Sequence, residues 1–141
     1  MSLTGKNNHG NTAILLVETN DSLRAALGES IEDNGYQLLG ASGSADALQH
    51  CGKANIAIVD LILDDIDGLS LIEDIRARQK EVRIIAALPS RSARKMLDME
   101  DKDIIKMAQQ SGANAVFIAP FNLGELLTTV ERFAETEATA A

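Results

Sequence analysis

Residues 57–71 read AIVDLILDDIDGLSL. An apolar run stops on Asp60. A second acidic group, Asp64-Asp65-Ile66-Asp67-Gly68, follows before the pattern turns helical. Asp60 reads either as a working carboxylate at the end of a buried strand or as one more turn residue. The rest of the chain decides between them.

Upstream, residues 55–59 (NIAIV) form a short, unbroken apolar stretch, the pattern of a strand buried on both faces. Residues 13–17 (AILLV) repeat it, residues 82–88 and 115–118 (AVFI) repeat it again, and residues 37–41 give a weaker version. Between these runs the apolar spacing changes to that of helices. Leu23, Ala26, Leu27 and Ile31 share a face over residues 22–33, with Gly35 as the stop. Ser44 is the expected cap of a short helix at 45–50, closed by Gly52. Residues 69–78 turn Leu69, Ile72 and Ile75 inward, residues 103–111 end at Gly112, and residues 123–133 align Leu126, Leu127, Val130 and Phe133. Five strands alternating with helical crossovers predict an α/β fold: a doubly wound parallel sheet with helices on both faces. The natural strand order is the flavodoxin-like 2-1-3-4-5.

That topology answers half of the opening question. Ligands in such sheets bind beyond the carboxyl ends of the strands, where the strand order reverses between the first and third. Glu18 follows the first strand and Asp60 ends the third, so both carboxylates are expected in one crevice. The downstream acids read differently. Asp67 before Gly68 is expected to cap the next helix, where negative charge suits the dipole. A calcium loop would need an acid where Leu63 stands and a glutamate where Asp74 stands.

The composition narrows the function classes. A chain of 141 residues with 45% hydrophobic content supports one domain with its own core. Aromatics are only 3%, so Leu, Ile, Val and Ala must fill that core. Phosphate contact needs a basic face, so with a net charge of −8 no direct nucleic-acid partner is expected of this domain. The single Cys51 allows no internal disulfide and reads as a small apolar filler. No apolar run approaches the roughly 18 residues of a membrane span. A cytoplasmic protein without membrane contact is expected. Residues 1–11 are predicted to be a disordered segment, 12–135 the domain, and 136–141 a tail or the start of a linker. His9 and His50 are the only histidines, and His50 beside Cys51 makes a poor zinc chelate.

With Asp60 placed, the chain resembles the receiver domain of bacterial two-component response regulators over roughly residues 12–133. The Asp60 stretch with its DG before the next helix carries most of the likeness, supported by ILLVETND, DIIKMAQQSGA and the APF at 119–121. The resemblance implies that Asp60 accepts a phosphoryl group from a histidine kinase or phosphotransfer protein. It further implies that magnesium is held, weakly here, by Glu18, Asp60 and the backbone carbonyl of Ile62, with support from Thr19, Asp21 or Ser90. An output protein or effector domain would read the result, and a homodimer is compatible with it. The chemistry is not that of a conventional enzyme, but at most self-phosphorylation and autodephosphorylation.

Several positions depart from the family pattern. Thr19 stands where a second acid is usual. The strand-four hydroxyl residue is replaced by Ala86 or Ala87, the switch aromatic by Val116, and the lysine before Pro120 by Ala119. Pro120 resembles a family proline that follows a cis bond. These losses point to a degenerate member, and the alternative reading is a pseudo-receiver that binds proteins without phosphorylation. Residues 89–102 (PSRSARKMLDMEDK) have no clear counterpart; Ala93, Met96 and Leu97 suit an extra helical turn, and Arg91, Arg94 and Lys95 a solvated face or a partner contact. Other chemistries on this fold fit less well. An aspartyl phosphatase would want an acid at Ile62, and a flavin site would not place Glu18 and Asp21 after the first strand.

Overall fold

The computed structural model describes residues 11–92 and 98–140. Five parallel strands make one sheet, β1 (Ala13–Val17), β2 (Gln37–Ala41), β3 (Ile56–Asp60), β4 (Arg83–Leu88) and β5 (Ala115–Ile118), in the order β2-β1-β3-β4-β5. The helices between and after them are α1 (Asp21–Asp33), α2 (Ser44–His50), α3 (Gly68–Arg78), α4 (Asp101–Ser111) and α5 (Leu123–Ala140), with a 3-10 turn at Cys51–Lys53. The expected fold and strand order are therefore observed.

Alternation along each strand divides the core in two. Leu15, Val17, Ala57, Val59, Ile84 and Ala86 face one side, where they meet Ala47 of α2, Leu71, Ile72 and Ile75 of α3, and Ile104 and Ala108 of α4. Ile14, Leu16, Ile56, Ile58, Ile85 and Ala87 face the other, against Ile31 of α1 and Leu126, Val130 and Ala134 of α5. Both faces are covered, which is why β1, β3 and β4 read as unbroken apolar runs rather than alternating ones.

The differences from the sequence reading lie at helix surfaces and ends. Ala26 is exposed, and Gly28 takes its place against the sheet, close enough to Leu38 that a β-carbon would lie 2.8 Å from its Cδ2. Ser44 does not cap α2; Gly43 stands at the cap without a side-chain bond. Asp65, from the loop after β3, supplies the missing acceptor to the Ser44 N–H (2.8 Å) and to its hydroxyl. Asp67 caps α3 as expected, accepting from the Ser70 N–H at 2.8 Å. The last helix runs to Ala140 instead of ending at Phe133. Ala93, Arg94, Lys95, Met96 and Leu97, and residues 1–10, lie outside the described residues. No helix among the described residues is long and apolar enough to cross a membrane.

Candidate functional site

Parallel pairing fixes the site. β1 and β3 run side by side, with Leu16 opposite Ile58 and Val17 opposite Val59, so the next residues emerge together at the carboxyl edge. β2 leaves on one side of β1 and β4 on the far side of β3, and their crossovers diverge there. In the opening lies a cleft of about 340 Å³ lined by Glu18, Thr19, Asn20, Leu23, Asp60, Ile62, Pro89 and Ser90. The two carboxylates expected to converge share this cleft, and both are buried, Glu18 at 4% and Asp60 at 7% exposure.

Each acid is held by backbone donors. The Ile62 N–H donates to Asp60 Oδ1 at 2.8 Å. The Asn20 N–H donates to Glu18 Oε2 at 3.0 Å, while Asn20 Oδ1 caps α1 through the Leu23 N–H. Arg24, one turn into α1, donates to the Glu18 carbonyl oxygen at 2.8 Å and to Asp21 Oδ1 at 2.8 Å. Burial is the main force on Asp60. Together with a hydrogen bond to Glu18 and that residue's charge, and against the Ile62 N–H, it lifts the Asp60 carboxyl from 3.8 to about 8. Two buried acids sharing a hydrogen bond leave the cleft short of positive charge. Such a set of hard oxygens, with a nearby loop carbonyl at Ile62, fits a small divalent cation.

The other expected residues separate into near and far. Thr19 lines the cleft, and its Oγ1 is buried without a partner among the described residues. Ser90 also lines the cleft. Asp21 is not among the lining residues; its exposed carboxylate is turned to Arg24. Of the two alanines in β4, Ala87 pairs with Asp60, whereas Ala86 belongs to the core on the opposite face. Val116 packs at the rim of that same opposite core. Ala119 and Pro120 are joined by a cis peptide bond and line a separate hollow of about 250 Å³ with Leu23, Leu27 and Phe121. Asn20, Leu23 and Pro89 escaped the sequence reading as site residues. Only the run of capping residues at 18–22 hinted at Asn20.

A family model for the response regulator receiver domain matches residues 14–131. Transcriptional regulatory protein PdtaR of Mycobacterium tuberculosis (strain CDC 1551 / Oshkosh) is 26% identical over 121 residues, which is 84% of this chain and 54% of that protein. The chain thus spans about half the length of that relative. It spans nearly all of another, sporulation initiation phosphotransferase F of Bacillus subtilis (strain 168), at 23% identity over 87% of this chain and 94% of that protein. Among solved structures, a CheY-like response regulator receiver domain protein from Methanospirillum hungatei JF-1 superposes with a TM-score of 0.78, covering 94% of this chain and 100% of that one at 18% identity.

Proposed function

The chain belongs to the response regulator receiver domain family, and on that footing we propose that it accepts a phosphoryl group on Asp60 in a phosphorelay. The observation that carries this reading is the shared burial of Asp60 and Glu18 in one cleft at the switch point of the sheet. The donor would be the phosphohistidine of a kinase or phosphotransfer protein. An Asp60 carboxylate oxygen attacks phosphorus, the P–O bond forms, the P–N bond breaks, and the imidazole leaves with the electron pair. Asp60 must be ionised to attack, so the proton that burial favours has to leave first.

Glu18, Asp60 and the Ile62 carbonyl would hold magnesium. The metal supplies positive charge against the phosphoryl oxygens, the main need in phosphoryl transfer. The chain's own part is positioning. The Asn20 N–H orients Glu18, the Ile62 N–H orients Asp60, and Gly68 lets α3 start hard against the Asp60 backbone. Thr19 leaves the site one negative charge lighter than a pair of acids would, which weakens its hold on the cation. Residues 12–135 form the receiver unit in this reading, in a cytoplasmic protein whose phosphorylated state is read by an output protein or effector domain.

The test is incubation with acetyl phosphate and magnesium, followed by intact mass. One phosphoryl adduct is expected, absent in Asp60→Asn. An adduct that persists in Asp60→Asn would move the acceptor elsewhere. No adduct under any condition would leave protein binding without phosphorylation as the function.

A further inference from the structure

The cleft of Glu18 and Asp60 and the hollow of Ala119 and Pro120 adjoin, for Leu23 and Pro89 line both. Their charge is one-sided. The first holds two carboxylates, the second is lined by apolar residues, and no lysine, arginine or histidine lines either among the described residues. Phosphorylation sharpens the imbalance. A phosphoryl group carries about −1.5 to −2 charges at neutral pH, and Glu18 adds another. A divalent cation then leaves about half to one negative charge uncompensated in the cleft.

We propose that a partner protein completes this site with a lysine or arginine, its apolar stem lying along Leu23, Leu27 and Phe121 and its charged end reaching the phosphoryl oxygens on Asp60. Long basic side chains do bury their methylenes on apolar surface while the head seeks a polar partner. A charge-assisted bond to a phosphoryl oxygen is among the stronger contacts available to such a head. The 250 Å³ hollow gives the stem a wall, and the acidic cleft at its end gives the head a counter-charge. A neutral apolar segment would fill the hollow and leave the charge unanswered. The inference rests on Asp60 being the phosphoacceptor. It makes the partner's cation part of the reacting site, so that partner binding and phosphorylation strengthen each other.

Propylammonium, a short alkyl stem with a charged head, is the probe. The rate of adduct formation from acetyl phosphate and magnesium is measured on the whole chain as propylammonium is titrated, with ionic strength held constant by tetramethylammonium. Propan-1-ol serves as the neutral control. We expect a saturable acceleration of about tenfold, a fraction of the roughly 10²–10³ that one fixed donor supplies. Propan-1-ol should give none. Ala119→Lys should react faster without the amine and ignore it when added. Adduct formation unaffected by the amine overturns the inference and leaves the acceptor reading standing. Equal acceleration by propan-1-ol also overturns it, because filling the hollow rather than charge would then be responsible. An adduct that never forms, with or without amine, overturns the acceptor reading and this one with it. The wild-type titration decides the matter even if Ala119→Lys fails to fold.

Discussion

Gly68 sits so close to the main chain of Asp60 that a β-carbon there would lie 2.3 Å from the Asp60 carbonyl oxygen and 2.5 Å from the Leu61 α-carbon. Both contacts are with backbone, which cannot swing aside as a side chain would. The Gly68 N–H also donates to the Leu61 carbonyl oxygen at 3.0 Å, and the Leu61 N–H to Ala87 at 2.9 Å, so the loop is anchored where it would have to move. Gly68→Ala should therefore displace Asp60 or unwind the first turn of α3. The expected cost is ~2–3 kcal/mol, at the upper end for overpacking a well-filled site. Melting should fall by about 8 °C or more, and phosphorylation should slow together with it. A variant that melts like the wild type would mean the contact relaxes freely.

The Asp60 carboxyl gives a pH signature in the metal-free protein. Its value is raised from 3.8 to about 8, so the folded chain keeps a proton that the unfolded chain releases. The contribution to stability is full below pH 3.8 and is lost as pH rises through about 8. In a chelator, the melting temperature should fall from pH 6 to pH 9 by more than the rest of the charge titration causes. Asp60→Asn, which cannot ionise, should flatten that fall and melt a few degrees higher at pH 9. Magnesium must displace the proton, so its apparent affinity should drop about tenfold per unit below pH 8. Affinity independent of pH between 6 and 8 would mean that Asp60 is already ionised before the metal arrives.

The sheet was legible because β1, β3 and β4 are buried on both faces, and only continuous apolar runs serve there. Asp60 stood out for the same reason, as the charge that ends such a run. The helix surfaces were harder. Ala26 and Gly28 are both small, and helical spacing alone did not reveal that Leu38 needed the room at Gly28. Ser44 looked like a cap because capping is read locally, yet its acceptor is Asp65, 21 residues away. Ala86 and Ala87 were indistinguishable until the register of β3 and β4 put Ala87 beside Asp60. Asn20, Leu23 and Pro89 reach the cleft through folds of the chain that no short motif encodes.

Thr19 offers a way to tune the side of the cleft where magnesium is proposed to bind. Its hydroxyl is buried and unpartnered among the described residues, so Thr19→Val should cost the fold nothing measurable, or stabilise it slightly. Thr19→Asp adds a carboxylate beside Glu18 and Asp60. Like charges at close range should lower the melting temperature in a chelator, and tighten magnesium about tenfold, on the order of 1.4 kcal/mol. Magnesium should then raise the melting temperature of Thr19→Asp more than that of the wild type, as linkage requires. Calorimetric titration and paired melts measure both. An unchanged magnesium affinity in Thr19→Asp would place the cation away from this wall.

Arg76 offers the opposite separation, stability without chemistry. Its guanidinium donates to the carbonyl oxygens of Gly112 (2.8 Å), Lys80 (2.9 Å) and Val82 (2.6 Å), and to Asn114 Oδ1 (2.8 Å), which in turn accepts from the Ile84 N–H at 2.7 Å. One side chain thus ties the end of α3 to the end of α4 and to the start of β4, at the edge of the sheet opposite Asp60. Burial lowers its pKa, but no carboxylate is needed to hold it, because carbonyl oxygens at two helix ends supply the negative potential. Arg76→Ala should cost ~3 kcal/mol, since several acceptors lose a charged donor at once. Arg76→Lys should recover only part of that, because an ammonium cannot span the fork from Gly112 to Val82. Well below the melting temperature, both variants should be phosphorylated at the wild-type rate. Denaturant melts and intact-mass time courses measure the two properties separately. A slower adduct in folded Arg76→Lys would show that this lower edge of the sheet communicates with the cleft.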